Sequence, residues 1–276
     1  MFVKRKPDPL ALKIVAFGEL VYHSTVRNLR QNHGNAIVGL LISILQTVMM
    51  VLVFYVLFDV LNIMGMRGAA VRGDYYVYLL SGVFIYMTHV KAMGAVAGSD
   101  GPTSPMMNHA PMNTLVAILS QALAALYIQV LALALLLYGY HVLVKPVEIE
   151  QPAPAALMVL MAWFTGVGVG LIFLSIKPWF PVFCNQASSL YTRINIFASG
   201  KLTPGNMLSF QVLPFFLWNP LFHIIDQTRG FVFVNYSPHH SNIAYPFFLA
   251  IGLVMLGMIA ESYTRRHASL SWFARR

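Results

Sequence analysis

The side chains able to do acid–base, nucleophilic or metal chemistry are few in this sequence and poorly placed for it. Its 276 residues include nine Asp and Glu. Asp59 and Glu261 fall at the ends of apolar runs, and Asp8, Glu19, Asp74, Asp100, Glu148, Glu150 and Asp226 fall outside them. No carboxylate sits in the middle of an apolar run, where a proton- or cation-coupled carrier holds its coupling ion and where hydrolysis within a membrane wants an acid or base. The nine histidines make no metal signature, since His239 and His240 are adjacent whereas helical metal-binding pairs sit at i, i+4. One cysteine, Cys184, leaves no disulfide framework or multi-cysteine metal site within a chain. Gly98 to Ser104 is glycine-rich but holds no lysine to reach a phosphate. Gly166, Gly168 and Gly170 resemble a dinucleotide loop only superficially; inside an apolar helix their expected role is close helix packing. His223 and Asp226 form the one nearby pair in the external region, and no third group completes a site. His89, close to Lys91, marks either a polar path or a helix end where the lysine snorkels. The sequence predicts no catalytic residue, no metal and no cofactor in this chain.

The elements that carry these residues follow from composition. The chain is 58% hydrophobic and 10% charged, against about 25% charged in soluble domains. So few charges cannot coat a water-facing surface, so most of the surface must face lipid. The net charge of +9 would point to nucleic acid on a soluble protein. Here the charge gathers at the ends: Lys4, Arg5, Lys6, Lys13, Arg27 and Arg30 precede the first apolar run, and Arg265, Arg266, Arg275 and Arg276 follow the last. That positive-inside pattern predicts a membrane rather than a nucleic-acid partner, with both termini cytoplasmic. No cleaved signal peptide is expected.

Termini on one side require an even number of crossings. Five long apolar runs cover about Ala36 to Phe58, Tyr75 to Ala97, Leu115 to Val144, Ala155 to Ile176 and Ile243 to Ala260, each near the ~20 residues of a spanning helix. A sixth, Phe180 to Phe197, holds Asn185, Gln186 and Arg193; parity makes it a span whose polar groups face the protein interior. The predicted fold is an all-α integral membrane protein of six transmembrane helices. It divides into a cytoplasmic segment 1–34 with an amphipathic interfacial helix, a transmembrane domain 35–262 and a basic tail 263–276. In the first segment Asp8 and Pro9 can start a helix. Leu10, Ile14, Phe17 and Val21 then share one stripe, opposite Glu19, His23, Arg27 and Arg30. Ser99 to Pro111, broken by Gly101, Pro102, Pro105 and Pro111, is cytoplasmic by parity. Gly200 to His240 is external, and its apolar pieces such as Leu213 to Trp218 are too short to cross, so they read as external re-entrant or interfacial helices.

Several segments, in order, resemble the transmembrane subunit of type-2 ABC exporters, specifically capsule-polysaccharide export permeases of Gram-negative bacteria. They are Arg27-Asn28-Leu29-Arg30; Tyr78-Leu79-Leu80-Ser81-Gly82; Asn108-His109-Ala110-Pro111-Met112; Gly166-Val167-Gly168-Val169-Gly170-Leu171-Ile172-Phe173; and Leu217-Trp218-Asn219-Pro220-Leu221-Phe222-His223 with Arg229 shortly after. The last is the most specific. Members often carry a Leu-Gly-x-Leu-Trp early in the first span, and Val38-Gly39-Leu40-Leu41-Ile42 lacks that tryptophan.

The resemblance implies a bacterial inner-membrane protein acting as two copies with two separate ATP-binding cassette subunits. Those partners bind ATP and magnesium, and the pair of permeases exports a lipid-linked, often anionic polysaccharide. O-antigen, a teichoic-acid-like polymer, lipid or drug is the alternative cargo, and an integral-membrane transferase the alternative class. In this setting the cytoplasmic residues Met106, Met107, Asn108, His109 and Pro111 are expected to dock the ATPase, methionine giving adaptable apolar contact and proline a restricted backbone. Tyr86, Phe215, Phe216, Trp218 and Arg229 are the expected substrate path, since aromatic faces stack on sugar rings and arginine attracts anions; the alternative is Trp218 as an interfacial anchor and Arg229 paired with Asp226 three residues away.

Overall fold

Five of the helices begin where the sequence offers a side-chain cap or an opening proline. The computed structural model describes residues 10–31, 36–63, 74–101 and 113–267, and these form helices with no strand among them. The helices are α1 (Leu10–Gln31), α2 (Ala36–Ile63), α3 (Tyr75–Ala97), α4 (Thr114–Leu143), α5 (Pro152–Ile176), α6 (Pro181–Ala198), α7 (Leu213–Leu217), α8 (Pro220–Val232) and α9 (Ala244–His267). Asp74, Asn113 and Asn219 cap α3, α4 and α8 by accepting from the N–H two residues on. Pro152, Pro181 and Pro220 open α5, α6 and α8, where a missing N–H leaves no broken bond.

Four helices, α3, α4, α5 and α9, are long and apolar enough to cross a membrane. α2 has 28 residues, about 42 Å at 1.5 Å per residue, and Ile44–Leu57 is its described apolar part. The expected interior-facing span at Phe180 to Phe197 differs. α6 is a helix of 18 residues, but Asn185, Gln186 and Arg193 are exposed on the single chain. At 100° per residue they share a stripe with Ser189, while Cys184, Tyr191 and Asn195 occupy the face turned to the bundle.

α3 is the axis of the bundle, buried from Tyr76 to His89 without interruption and packed on α2, α4, α5 and α8. The alternate glycines of α5 set its spacing to two neighbours. A Cβ on Gly166 would lie 2.4 Å from the His89 carbonyl oxygen, and one on Gly170 2.7 Å from that of Met93, both on α3. Gly168 faces the other way, 2.9 Å from Leu253 Cβ on α9. The expectation of close helix packing at these glycines holds, and it serves two interfaces rather than one.

The ends of the bundle sort by contact. Tyr140 Oη donates to Asp74 Oδ1 at 3.0 Å, and Lys145 pairs with the same carboxylate at 3.1 Å, joining the last turn of α4 to the first of α3. At the opposite end Thr264 Oγ1 donates to the Ser175 carbonyl, and Arg265 reaches Asn113. α1 lies on α4 near this second end, where Asn28 Nδ2 donates to Ser120 Oγ at 2.9 Å. Its later half is buried through Val21, Ser24 and Asn28, while Leu12, Ile14, Val15 and Phe17 stay exposed. The helix is therefore a packed helix in its second half and an uncovered apolar surface in its first. Both terminal helices meet the same end of the bundle.

Candidate functional site

Beyond α6 the chain folds back on itself. α6 ends at Ala198, and Gly200 turns it with φ +67, a left-handed conformation that side chains disfavour. After the short turn Gly205–Met207 and α7, the chain reaches Asn219, which lies beside α6 again. Asn219 Nδ2 donates to Asn195 Oδ1 at 2.7 Å and to the Ala198 carbonyl at 2.8 Å, while its Oδ1 caps Leu221 N–H at 3.0 Å. α8 then runs outward, and Gln151 N–H donates to the Phe231 carbonyl at 2.9 Å, tying the end of α8 to the start of α5. The Trp-Asn-Pro motif is thus the inner turn of a loop-and-helix hairpin.

Arg229 holds this hairpin together. It is 0% exposed. Nη1 donates to the carbonyls of Gly200 (2.9 Å) and Thr203 (3.3 Å), Nη2 donates to that of Lys201 (2.6 Å), and the guanidinium lies 4.2 Å from the Tyr78 ring centroid. Gly82 makes room, since a Cβ there would stand 2.7 Å from the Lys201 carbonyl oxygen and 2.9 Å from Arg229 Nη2. Arg229 therefore faces backbone oxygens, and the ion pairs among the described residues, Lys145–Asp74 and Arg265–Glu261, leave Asp226 out. Asp226 accepts from Gly205 N–H (3.0 Å), Ser241 Oγ (2.8 Å) and the Tyr236 phenol. Burial, then the Asp226 charge, pushes the Tyr236 pKa up, so the phenol stays a donor. His223 accepts from Asn242 N–H through Nδ1 and donates from Nε2 to the Leu217 carbonyl, each ring nitrogen in a structural bond. The pair His223 and Asp226 is thus engaged in holding the fold.

The remaining path residues divide. Phe215 is 78% exposed and Trp218 82% exposed. Tyr245 Oη donates to the Trp218 carbonyl at 2.8 Å, so the backbone carrying the exposed indole is held. Phe216 is half-buried, edge-on to Phe222 at 5.6 Å. Tyr86 is buried, its hydroxyl donating to the Thr192 carbonyl of α6 at 3.0 Å. The structure brings Phe215 and Trp218 to one surface and places Tyr86 and Arg229 inside. Phe210, 89% exposed, joins the exposed aromatics; its signal in the sequence is another phenylalanine in the same proline-broken segment. Met106, Met107, Asn108, His109 and Pro111 lie outside the described residues.

His89 is buried between helices. Its ring nitrogens meet Thr165 Oγ1 of α5 at 3.0 Å and Tyr191 Oη of α6 at 2.9 Å. With the Tyr86 bond and Cys184 Sγ donating to the Phe173 carbonyl, this fastens α6 to the bundle by polar contacts. His89 itself is an internal tie between helices, while the amine of Lys91, two residues on, bonds Gln46 at 2.9 Å.

No protein-family model matches the chain. Two proteins of Escherichia coli called polysialic acid transport protein KpsM are similar to it. One is 25% identical over 199 residues, covering 71% of this chain and 75% of the relative; the other is 24% identical over the same length. These relatives, and four described helices long and apolar enough to cross a membrane, agree with the resemblance carried by the motifs along the chain.

Proposed function

We propose that this chain is the membrane subunit of an ATP-driven exporter that moves a lipid-linked, anionic polysaccharide across the bacterial inner membrane. The observation that carries the reading is the aromatic edge of the hairpin. Phe210, Phe215 and Trp218 stand exposed on a segment pinned by Asn219 and Arg229. Exposed aromatic rings on a fixed backbone suit sugar faces. In a six-span arrangement with both termini cytoplasmic, the hairpin is re-entrant from the external side. Such backbone survives at membrane depth only against protein or water. The polar stripe of α6, with Asn185, Ser189 and Arg193 exposed, then faces a second copy across a hydrated path. Likeness to proteins named for polysialic acid transport supports a carboxylate-bearing cargo.

Energy enters through two ATP-binding cassette subunits, which bind ATP and magnesium and dock on Met106, Met107, Asn108, His109 and Pro111. The test replaces Trp218 and Phe215 separately by alanine. Surface polysaccharide is expected to fall several-fold while protein level and co-purification of the ATPase persist. Normal export in both variants, or loss matched by degraded protein, rejects the reading. Met107→Asp with His109→Asp is expected to uncouple ATP hydrolysis from export, and unchanged stimulation and export refute the docking role. A cysteine placed at Arg276 is expected to be labelled only from the cytoplasmic side.

A further inference from the structure

Lys201 is the least comfortable charge in the described structure. It is 0% exposed, and its Nζ has no hydrogen-bond or ion-pair partner among the described residues. Two aromatic rings enclose it: Tyr86 of α3 at 3.7 Å and Phe54 of α2 at 4.3 Å, measured to the ring centroids. The neighbouring cation, Arg229, is answered by carbonyl oxygens, and the nearby Asp226 is engaged by Gly205, Ser241 and Tyr236. Two buried cations therefore share one region, with no carboxylate paired to either among the described residues. Aromatic faces offset only part of the cost of removing an ammonium from water. A lysine serving only to fill this space would be better replaced by an apolar side chain of equal length.

The two walls of the cage come from different helices. Tyr86 belongs to the buried axis of the bundle and is held by its bond to α6. Phe54 belongs to α2, whose neighbours Leu52, Val53, Tyr55 and Val56 are exposed. The backbone of Lys201 is anchored independently of α2, through its carbonyl to Arg229, so a movement of α2 alone would uncover the ammonium and leave that backbone in place.

We propose that Lys201 is a sheathed anion-binding residue, covered by Phe54 and Tyr86 in this conformation and freed, when α2 draws away from α3, to hold a carboxylate or phosphate. The role deepens the export reading and rests on it for the identity of the cargo; an anionic lipid headgroup offers the same chemistry.

The test uses the full chain in phosphatidylcholine nanodiscs and a water-soluble amine-reactive ester, with modification of Lys201 read by peptide mass spectrometry. Lys201 in the parent is expected to react slowly, and Phe54→Ala to raise its rate at least tenfold. A soluble sialic acid oligomer is expected to protect the uncovered lysine several-fold. Protection by nanodiscs containing phosphatidylglycerol, and not by the oligomer, assigns the anion to the lipid and separates this site from the export reading. An unchanged rate in Phe54→Ala, or protection by neither probe, overturns the proposal. In cells Lys201→Met is expected to keep or raise thermal stability while export falls at least tenfold, with Lys201→Arg retaining more export than Lys201→Met. A Lys201→Met variant that exports normally also overturns it.

Discussion

Replacing Gly166 by alanine tests the closeness of α3 and α5 with one methyl group. The new Cβ would stand 2.4 Å from the His89 carbonyl oxygen and 3.0 Å from Ala92 Cβ. Neither neighbour is the free end of a flexible side chain, so the helices themselves must part. Ordinary contacts begin near 3.5 Å, so the separation is roughly 1 Å, and overpacking on this scale costs about 1–3 kcal/mol. Alanine also favours a helix interior over glycine by about 1 kcal/mol, which offsets part of the loss. Gly252 of α9 supplies the control, because a Cβ there meets nothing within 4 Å. Comparing the two variants cancels the propensity gain, leaving Gly166→Ala about 1–3 kcal/mol below Gly252→Ala. For a chain of this size that is a difference in melting midpoint of roughly 2–10 °C. Heating purified protein in detergent and following the monodisperse fraction by size exclusion reads it. Equal midpoints for the two variants would show that the contact at Gly166 is not a constraint, and the reasoning would fail.

Asn219→Ala removes two bonds to α6 and the cap of α8, an expected loss of about 2–3 kcal/mol, and Asn219→Asp, which keeps the cap alone, should fall between it and the parent in the same melting assay. Arg229→Gln leaves carbonyls of the hairpin unanswered and should lower stability by about 3 kcal/mol or more, seen as loss of folded protein on size exclusion; normal protein with lost export would move Arg229 from a structural to a transport role. Gly82→Ala, which drives a Cβ against Lys201 and Arg229, should reproduce that loss more mildly. Cys184, 3% exposed and bonded to the Phe173 carbonyl, should resist a water-soluble maleimide until the protein is unfolded in SDS, and rapid native labelling would show that α6 detaches.

The long helices were legible because lipid imposes a rule that composition obeys: apolar runs near 20 residues must be helical to satisfy their own backbone. The glycines of α5 were legible for a related reason, since glycine in such a helix means close approach. α6 was harder. Its polar residues form one stripe, but a sequence does not say whether that stripe meets its own bundle or something beyond the chain, and the structure turns it outward. Arg229 reads from the sequence as a substrate-path residue because it follows a proline-flanked apolar piece too short to span. Its burial depends on Gly82, almost 150 positions earlier, leaving space for the Lys201 backbone, a coincidence that only the folded chain creates. Lys201 carries no signal in the sequence, because a lysine beside Gly200 reads as part of a loop; the rings that enclose it come from α2 and α3.

The alternation at Gly166, Gly168 and Gly170 fixes more than spacing. With α3 seated against one side of α5 and α9 against the other, none of the three can slide without lifting over a backbone oxygen or a neighbouring Cβ. The trio is a stiff plate. Strain arriving at its edge would pass through with little absorbed, so compliance is expected in helices fastened at its margins, α2 and α6 among them. Hydrogen exchange should therefore divide the molecule, with amides of the plate closing together as one slow class and those of α2 and α6 exchanging earlier. A uniform rate across all five helices would contradict this mechanical division.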